Sequence, residues 1–276
     1  MTKAKNNAYL LYLLPYLLIL ALFIILPMIF IVVYSLIDSS EFVYKLTVDN
    51  FTSFFSTYLY FKAILKSLKL AFIATIVTIA ICYPVAFYIS RRKPKIRKAL
   101  LLLTTSPMWI NMLLRTLAIK QVLDGPLLKI VQLFNPDVSV IIGNDFSVVL
   151  GMVYNYIPYM VLPIYTSLVK LDNKLIEAST DLGAHKAQTF IHVILPLSLP
   201  GVLSGVTMVF LSCTTTITIS KYLGEGRYFL IGNVIENEFI TNSRWGFGSA
   251  ISLILLLIML LIMYILDRFS KKWEVE

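Results

Sequence analysis

Residues 171–201 read LDNKLIEASTDLGAHKAQTFIHVILPLSLPG and stand between two long apolar runs. Asp172 is a good N-cap, and its carboxylate suits the positive end of a helix dipole. Leu171, Leu175, Ala178 and Leu182, spaced 4, 3 and 4, form one apolar stripe of a short helix. Lys174, Glu177 and Asp181 form a charged stripe beside it. Gly183 follows where a helix end wants a left-handed residue. A second short helix places Ala187, Phe190, Ile191 and Ile194 on one face, and Pro196 and Pro200 mark the approach to the next apolar run. Two readings fit this amphipathic knob. It is either a rigid piece that passes force from a soluble partner into a membrane domain, or a helix resting on the lipid surface.

The flanks decide that a membrane is involved. Of the residues 58% are hydrophobic and 14% charged, against about 25% charged in soluble chains. A membrane-crossing helix needs about 20 mostly apolar residues. Such runs lie at about 8–37, 70–90, 99–114, 146–169, 193–220 and 246–266, predicting an all-α integral membrane protein with six transmembrane helices in one domain over residues 1–276. The third run is the shortest, interrupted by Pro107 and closed by Arg115. The first follows Lys3 and Lys5 and has no A-x-A cleavage site, so it reads as a retained helix. The segment 127–134 reads as a short amphipathic element in an external linker.

Charge gives an orientation. The segment 91–98 holds six cations and no anion between the second and third runs. Placing it in the cytoplasm puts both termini and the 170–192 loop there too, with 14 of the 24 Lys/Arg on that side. The net charge of +9 is then a membrane-sidedness signal and not a nucleic-acid patch. Cys82 and Cys213 sit inside apolar runs as small hydrophobic fillers. No G-x-x-x-x-G-K-[ST] run, metal-ligand cluster or nucleophile–base pair is present, so no catalytic or metal site is expected in this chain.

Within the 171–201 stretch, Glu177-Ala178, Gly183-Ala184, Phe190, Leu195-Pro196 and Pro200-Gly201 resemble the EAA loop of ABC-importer permeases. That pattern has a Gly six residues after the Glu and a Leu-Pro thirteen beyond the Gly, and Gly183 and Pro196 meet both spacings; Ser179 replaces the pattern's second Ala. The segments SPMWINMLLRT (106–116), 162–191 and LIGNVIENEF (230–239) extend the resemblance to permeases of spermidine/putrescine importers. The resemblance implies a type I ABC importer permease fold in the inner membrane. It implies a second permease subunit, two ATPase subunits that bind ATP and Mg, and an extracytoplasmic polyamine-binding protein. It also implies an ATPase-coupling loop in which Glu177, Ala178, Asp181, Leu182, Gly183, Ala184, Phe190 and Pro196 take part, with Glu177 touching the ATPase and Gly183 setting the turn.

A polyamine is recognised by acids and aromatic faces. Trp109, Tyr154, Tyr156 and Tyr159 supply aromatics, while the acids Asp124, Asp137, Asp145, Glu225, Glu236 and Glu238 fall on the external side. A polar route is expected along Trp109, Asn155, Tyr159, Thr207, Thr214 and Thr218, with Thr166 and Ser204 on the same stripes; packing and own-backbone bonding remain the alternative for each. The run cores contain no Asp or Glu, which disfavours an ion-coupled secondary transporter. A sugar, an amino acid or an oxyanion remains an alternative substrate, because selectivity would sit in the external binding protein.

Overall fold

The computed structural model describes residues 13–38, 45–136, 140–226 and 228–274. Residues 8–12 of the predicted first span, and Asp137, lie outside them. Helix α1 covers Leu13–Ser35. A two-residue strand pair follows, β1 (Ile37–Asp38) antiparallel to β2 (Lys45–Leu46). Then come α2 (Asp49–Ser56), α3 (Tyr58–Ser90), α4 (Pro94–Thr105), α5 (Met112–Val122), α6 (Leu128–Phe134), α7 (Asp145–Lys170) and α8 (Asn173–Asp181). Helices α9 (Lys186–Thr214), α10 (Thr218–Leu223), α11 (Ile231–Ile240) and α12 (Trp245–Glu274) complete the described chain.

Among the described residues five helices are long and apolar enough to cross a membrane: α1, α3, α7, α9 and α12 up to Phe269. The predicted third span, 99–114, is not one helix. Pro107 opens a 3-10 turn at Ser106–Trp109, and Ile110 and Asn111 are extended, with ψ of 137° and 133°. Asn111 then caps α5 by accepting the Leu113 N–H at 2.8 Å. The predicted second span starts twelve residues early, at Tyr58, because Lys62, Lys66 and Lys69 are accommodated on its first turns. The predicted last span runs past Leu266 to Glu274, since no Gly or Pro follows to stop it. The predicted fifth span ends at Thr214 instead of Ser220, and it begins inside the loop, at Lys186.

Proline explains the irregular turns. A π turn at Ala21–Ile25 precedes Pro27, and another at Phe190–Ile194 precedes Pro196. In each, the residue just before the proline reaches five residues back: Leu26 N–H bonds Ala21 O, and Leu195 N–H bonds Phe190 O. Proline offers no N–H, so widening the turn re-routes the ladder while the helix continues.

The chain forms two compact units. One comprises Met1–Phe61 and Ile235–Ile258. Here Phe54 is buried and stacks on Tyr60 at 6.1 Å, and Tyr60 meets Phe247 edge-on at 5.1 Å. Asn50 Nδ2 donates to Ser35 O and Ile37 O, closing the chain after α1. The α1 side chains are exposed almost throughout, as suits a helix that is apolar all round.

The other unit comprises Lys62–Val234 and Met259–Glu276. Its centre is the α7–α9 pair. A Cβ on Gly201 would lie 2.5 Å from Ser167 Cβ and 2.6 Å from Pro163 O, and one on Gly205 would lie 2.7 Å from Met160 Sδ. The Gly-x-x-x-Gly pair therefore brings the two backbones together. Asn144 caps α7 by accepting the Ser147 N–H at 2.9 Å.

Candidate functional site

The knob between α7 and α9 is closed at both ends by its own sequence. Asp172 Oδ1 accepts the Lys174 N–H at 3.0 Å, capping α8. Gly183 takes a φ of +80°. Its N–H donates to Thr180 O at 2.9 Å and that of Ala184 to Ser179 O at 3.1 Å, the paired bonds of a Schellman stop. His185 N–H then donates to Gln188 Oε1 at 2.9 Å, starting α9. The hydroxyls of Ser179 and Thr189 lie 3.0 Å apart and tie α8 to α9.

Leu171 packs against the core, but the rest of the apolar stripe does not pack inward. Leu175 and Leu182 are 48% and 89% exposed, and Ala178 is exposed as well. The inward face is instead Ile176 and Ser179. Burying one leucine is worth about 1.5–3 kcal/mol, and the two leucines beside the exposed Glu177 and Asp181 leave that free energy unused within the chain. Phe190 stands at the π turn, edge-on to Tyr83 (5.8 Å) and Phe87 (5.6 Å) of α3. The Tyr83 hydroxyl lies 2.8 Å from Ser198 Oγ, two residues beyond Pro196. Behind the knob a cavity of about 400 Å³ lies among Phe87, Arg91, Ile176, Lys186 and Phe190. The second helix of the loop is thus continuous with the membrane helix and braced on α3, where the sequence suggested a separate helix.

The residues expected along a route are dispersed. Trp109 is 78% exposed at the end of its 3-10 turn. Asn155 is fully buried; its Nδ2 donates to Gly151 O at 2.9 Å and Thr116 Oγ1 at 3.3 Å, and its backbone carbonyl accepts from Arg115 Nη1 at 3.2 Å. Arg115, read in the sequence as closing a span, is therefore a buried cation on α5. Tyr159 packs edge-on to Tyr156, whose hydroxyl donates to Ser212 O at 3.0 Å. Thr214 is buried and donates to Phe210 O. Thr218 starts α10, past the break that ends α9. Thr166 is exposed, its hydroxyl on Leu162 O.

Thr207 and Ser204 do come together, in a cavity of about 310 Å³ that α9 forms with α12. Asp267 lines the same cavity. It was missed because the predicted span stopped one residue short of it. The readable signal was the absence of a helix breaker between Leu266 and the lysines at 271 and 272.

At the end of α7 opposite the knob, Asp145 lies 3.6 Å from Lys66 Nζ and accepts the Tyr228 hydroxyl. The Lys66 ammonium also sits 3.6 Å above the Tyr228 ring centroid. Burial and the Asp145 carboxylate push the Tyr228 phenol up.

A family profile described as binding-protein-dependent transport system inner membrane component matches residues 83–275. The chain is 37% identical over 270 residues to the spermidine/putrescine transport system permease protein PotB of Escherichia coli K12, covering 93% of this chain and 97% of that one. It is 36% identical over 261 residues to the PotB protein of Haemophilus influenzae, covering 91% and 90%. Among solved structures it is similar to a chain of a bacterial alginate ABC transporter in complex with a pentasaccharide-bound periplasmic protein, with a TM-score of 0.80, 15% identity, and 99% and 97% covered. A chain of the inward-facing MetNI methionine ABC transporter gives a TM-score of 0.60 at 16% identity, with 79% and 97% covered.

Proposed function

The chain belongs to the binding-protein-dependent transport system inner membrane components, and from that premise we propose that it is a pore-forming permease subunit of an ATP-driven importer of polyamines. It is a multi-pass inner-membrane protein with the fold of ABC-importer membrane subunits. The observation that carries the mechanism is the exposed face of α8. Glu177, Asp181, Leu175 and Leu182 point away from the chain on a helix locked at both ends. Such a face suits a cleft in an ATPase subunit. The spermidine/putrescine assignment of the PotB relatives supports the substrate class.

On this reading two ATPase subunits bind ATP and Mg and hydrolyse it, and the chain itself is no enzyme. A second permease completes the pore, and an extracytoplasmic binding protein delivers the substrate. The termini, segment 91–98 and the α8 knob are cytoplasmic. The broken pair α4–α5 makes the sixth crossing; its open backbone at Ile110 and Asn111 is tolerable at membrane depth where protein or a water-filled route surrounds it. ATP-driven closure pushes α8, and the Phe190 contact carries the displacement into α3.

The test is uptake of labelled spermidine and putrescine into proteoliposomes holding the chain with its ATPase, second permease and binding protein. ATP-dependent uptake that vanishes without this chain is the expected result. Uptake by the chain alone, driven by an ion gradient, overturns the ATPase coupling. An assembled, active ATPase that imports a sugar or an amino acid but no polyamine keeps the importer and discards the substrate.

A further inference from the structure

The cluster at the Asp145 end of α7 already holds a primary ammonium. Lys66 Nζ lies 3.6 Å above the Tyr228 ring centroid and 3.6 Å from Asp145 Oδ1. An aromatic face and a carboxylate on one cation are the two groups that recognise an alkylammonium ligand. Host and guest are held very differently. The Tyr228 hydroxyl donates to Asp145 Oδ1 at 2.5 Å, and its raised pKa keeps that hydrogen in place at neutral pH. Gly224 makes room for the ring, since a Cβ there would lie 2.8 Å from Tyr228 Cβ. Asp145 follows the Asn144 cap of α7. Leu223 O ties the two stretches together, accepting the Gly143 N–H at 2.8 Å and the Ser147 hydroxyl at 3.0 Å. Ring and carboxylate are therefore positioned without help from the lysine. Lys66 reaches them from α3 on a flexible stem of four methylenes. Its side chain is 35% exposed and that of Asp145 53%, so the ion pair itself is weak.

The lysine side chain is a methylene chain ending in a primary ammonium, which is also the chemistry of a polyamine end. Exchanging one for the other leaves the carboxylate neutralised and the ring face covered, so the exchange carries little cost. A neutral sugar or an anion cannot make it. The groove that starts at Asp145 lies between α3 and α7, has a volume of about 390 Å³, and is lined by residues such as Leu70, Val77, Phe146 and Val153. It offers apolar contact to methylenes. Among the described residues lining it Asp145 alone is charged, so one ammonium is held at a time. The tethered lysine competes at an effective concentration in the millimolar range, and a ligand binds only while Lys66 is off the site. Weak, exchangeable holding suits a place that substrate passes through.

We propose that Tyr228 and Asp145 form an ammonium subsite at the end of the chain away from the knob, that Lys66 fills it at rest, and that an ammonium of the transported polyamine displaces the lysine on entry. This rests on the importer reading above and adds to it the residues that would first meet the substrate.

The test uses the assembled transporter in phosphatidylcholine nanodiscs, without binding protein or ATP, and measures binding of labelled putrescine. Lys66→Met keeps an apolar stem and removes the resident ammonium. It is expected to tighten binding by about tenfold, because an exposed ion pair together with an exposed cation–π contact keeps the site filled most of the time. Misfolding does not produce such a gain. Adding Asp145→Asn or Tyr228→Leu to Lys66→Met should abolish it. In Lys66→Met, n-butylamine, which carries a single ammonium, should compete with putrescine, and butanesulfonate should not. Lys66→Gln serves if Lys66→Met fails to assemble. Binding left unchanged or weakened by loss of the lysine overturns the exchange. A gain that persists in the double variants overturns the subsite. Uptake by the unaltered transporter is measured separately. Tighter putrescine binding that depends on Asp145 and Tyr228, in a transporter without ATP-driven polyamine uptake, would support the subsite while discarding the importer reading.

Discussion

Phe190 and Tyr83 meet edge to face, with ring centroids 5.8 Å apart and planes at 87°. The pair joins the π turn near the start of α9 to α3, and Phe87, one turn along α3, meets the same ring at 5.6 Å. Edge-to-face pairs contribute about 0.5–1.5 kcal/mol beyond their buried area. That is modest for stability, but under the proposed coupling it sets where a push on α8 would arrive. Ser179 and Thr189 couple α8 to α9 one residue before Phe190, so the path from the exposed leucines to α3 consists of short, directional contacts.

Removing the ring should separate hydrolysis from transport. In the assembled transporter, Phe190→Ala is expected to retain binding-protein-stimulated ATP hydrolysis while substrate uptake per ATP falls severalfold. Phe190→Leu, which keeps bulk but not edge geometry, should fall between. Parallel measurement of phosphate release and uptake in the same vesicles checks this; an unchanged ratio in Phe190→Ala would remove the ring from the coupling path.

Gly183 tests backbone conformation without packing. Nothing lies within 4 Å of where its Cβ would be, and its φ is +80°. The cost of a side chain is therefore the left-handed penalty alone, about 1–2 kcal/mol for an ordinary residue and less for Asn. Uptake should rank Gly, then Asn, then Ala, then Val at this position, with expression unchanged. Glu177→Ala should reduce uptake through the docking face with no loss of insertion. Equal uptake by Gly183→Val and the parent chain would show that the turn does not position α8.

The α8 stop, its N-cap and the membrane helices were legible because each depends on residues close in sequence. Asp172 needs only Lys174, and Gly183 needs only Ser179 and Thr180. Span ends were less legible for a physical reason. A hydropathy window stops at charge, whereas a helix stops at a backbone cause, so Lys62, Lys66 and Lys69 remained inside α3 and Asp267 inside α12. The break at Ile110 and Asn111 was hinted at by Pro107 alone. The polar stripe on α9 failed as a continuous line because the helix ends between Thr214 and Thr218, which no periodicity reveals. Burial of Asn155 against Arg115 and Thr116 depends on two elements about forty residues apart, a distance at which local pattern carries no information.

Gly201 provides the opposite test to Gly183. Its Cβ would meet Ser167 Cβ at 2.5 Å and the Pro163 carbonyl at 2.6 Å, both below any real contact. The backbone carbonyl cannot swing aside, so α7 and α9 must part. Overpacking of this kind costs about 1–3 kcal/mol. Gly201→Val should lower the thermal unfolding midpoint of the detergent-solubilised chain more than Gly183→Val does, although only the latter is strained at φ. The reverse order would mean that the α7–α9 contact is loose in solution.

Arg244 and Glu238 form an ion pair with Nε 2.8 Å from Oε2, and the Tyr60 hydroxyl contacts both groups, donating to Glu238 Oε1 at 3.4 Å and accepting from Arg244 Nη2 at 3.3 Å. The side chains are unequally placed, 53% exposed for Arg244 and 5% for Glu238. Removing the arginine leaves a nearly buried carboxylate with one long bond; removing the carboxylate leaves a cation that water can solvate. Breaking a fully buried pair costs about 3–5 kcal/mol, and the exposed guanidinium discounts this to about 1–2 kcal/mol. Arg244→Ala should therefore destabilise more than Glu238→Gln, and the double variant should recover most of the loss because no charge is left buried. The hydrogen bond to Glu238 pushes the guanidinium further up from its ordinary value. A raised folded-state value means that this contribution is complete below the unfolded one, so it should be undiminished on raising the pH to about 10. Thermal unfolding of the parent and the three variants at neutral pH and at that alkaline pH checks both points; equal single-variant losses would show that Glu238 is more open to water than its packing against Tyr60 and Arg244 implies.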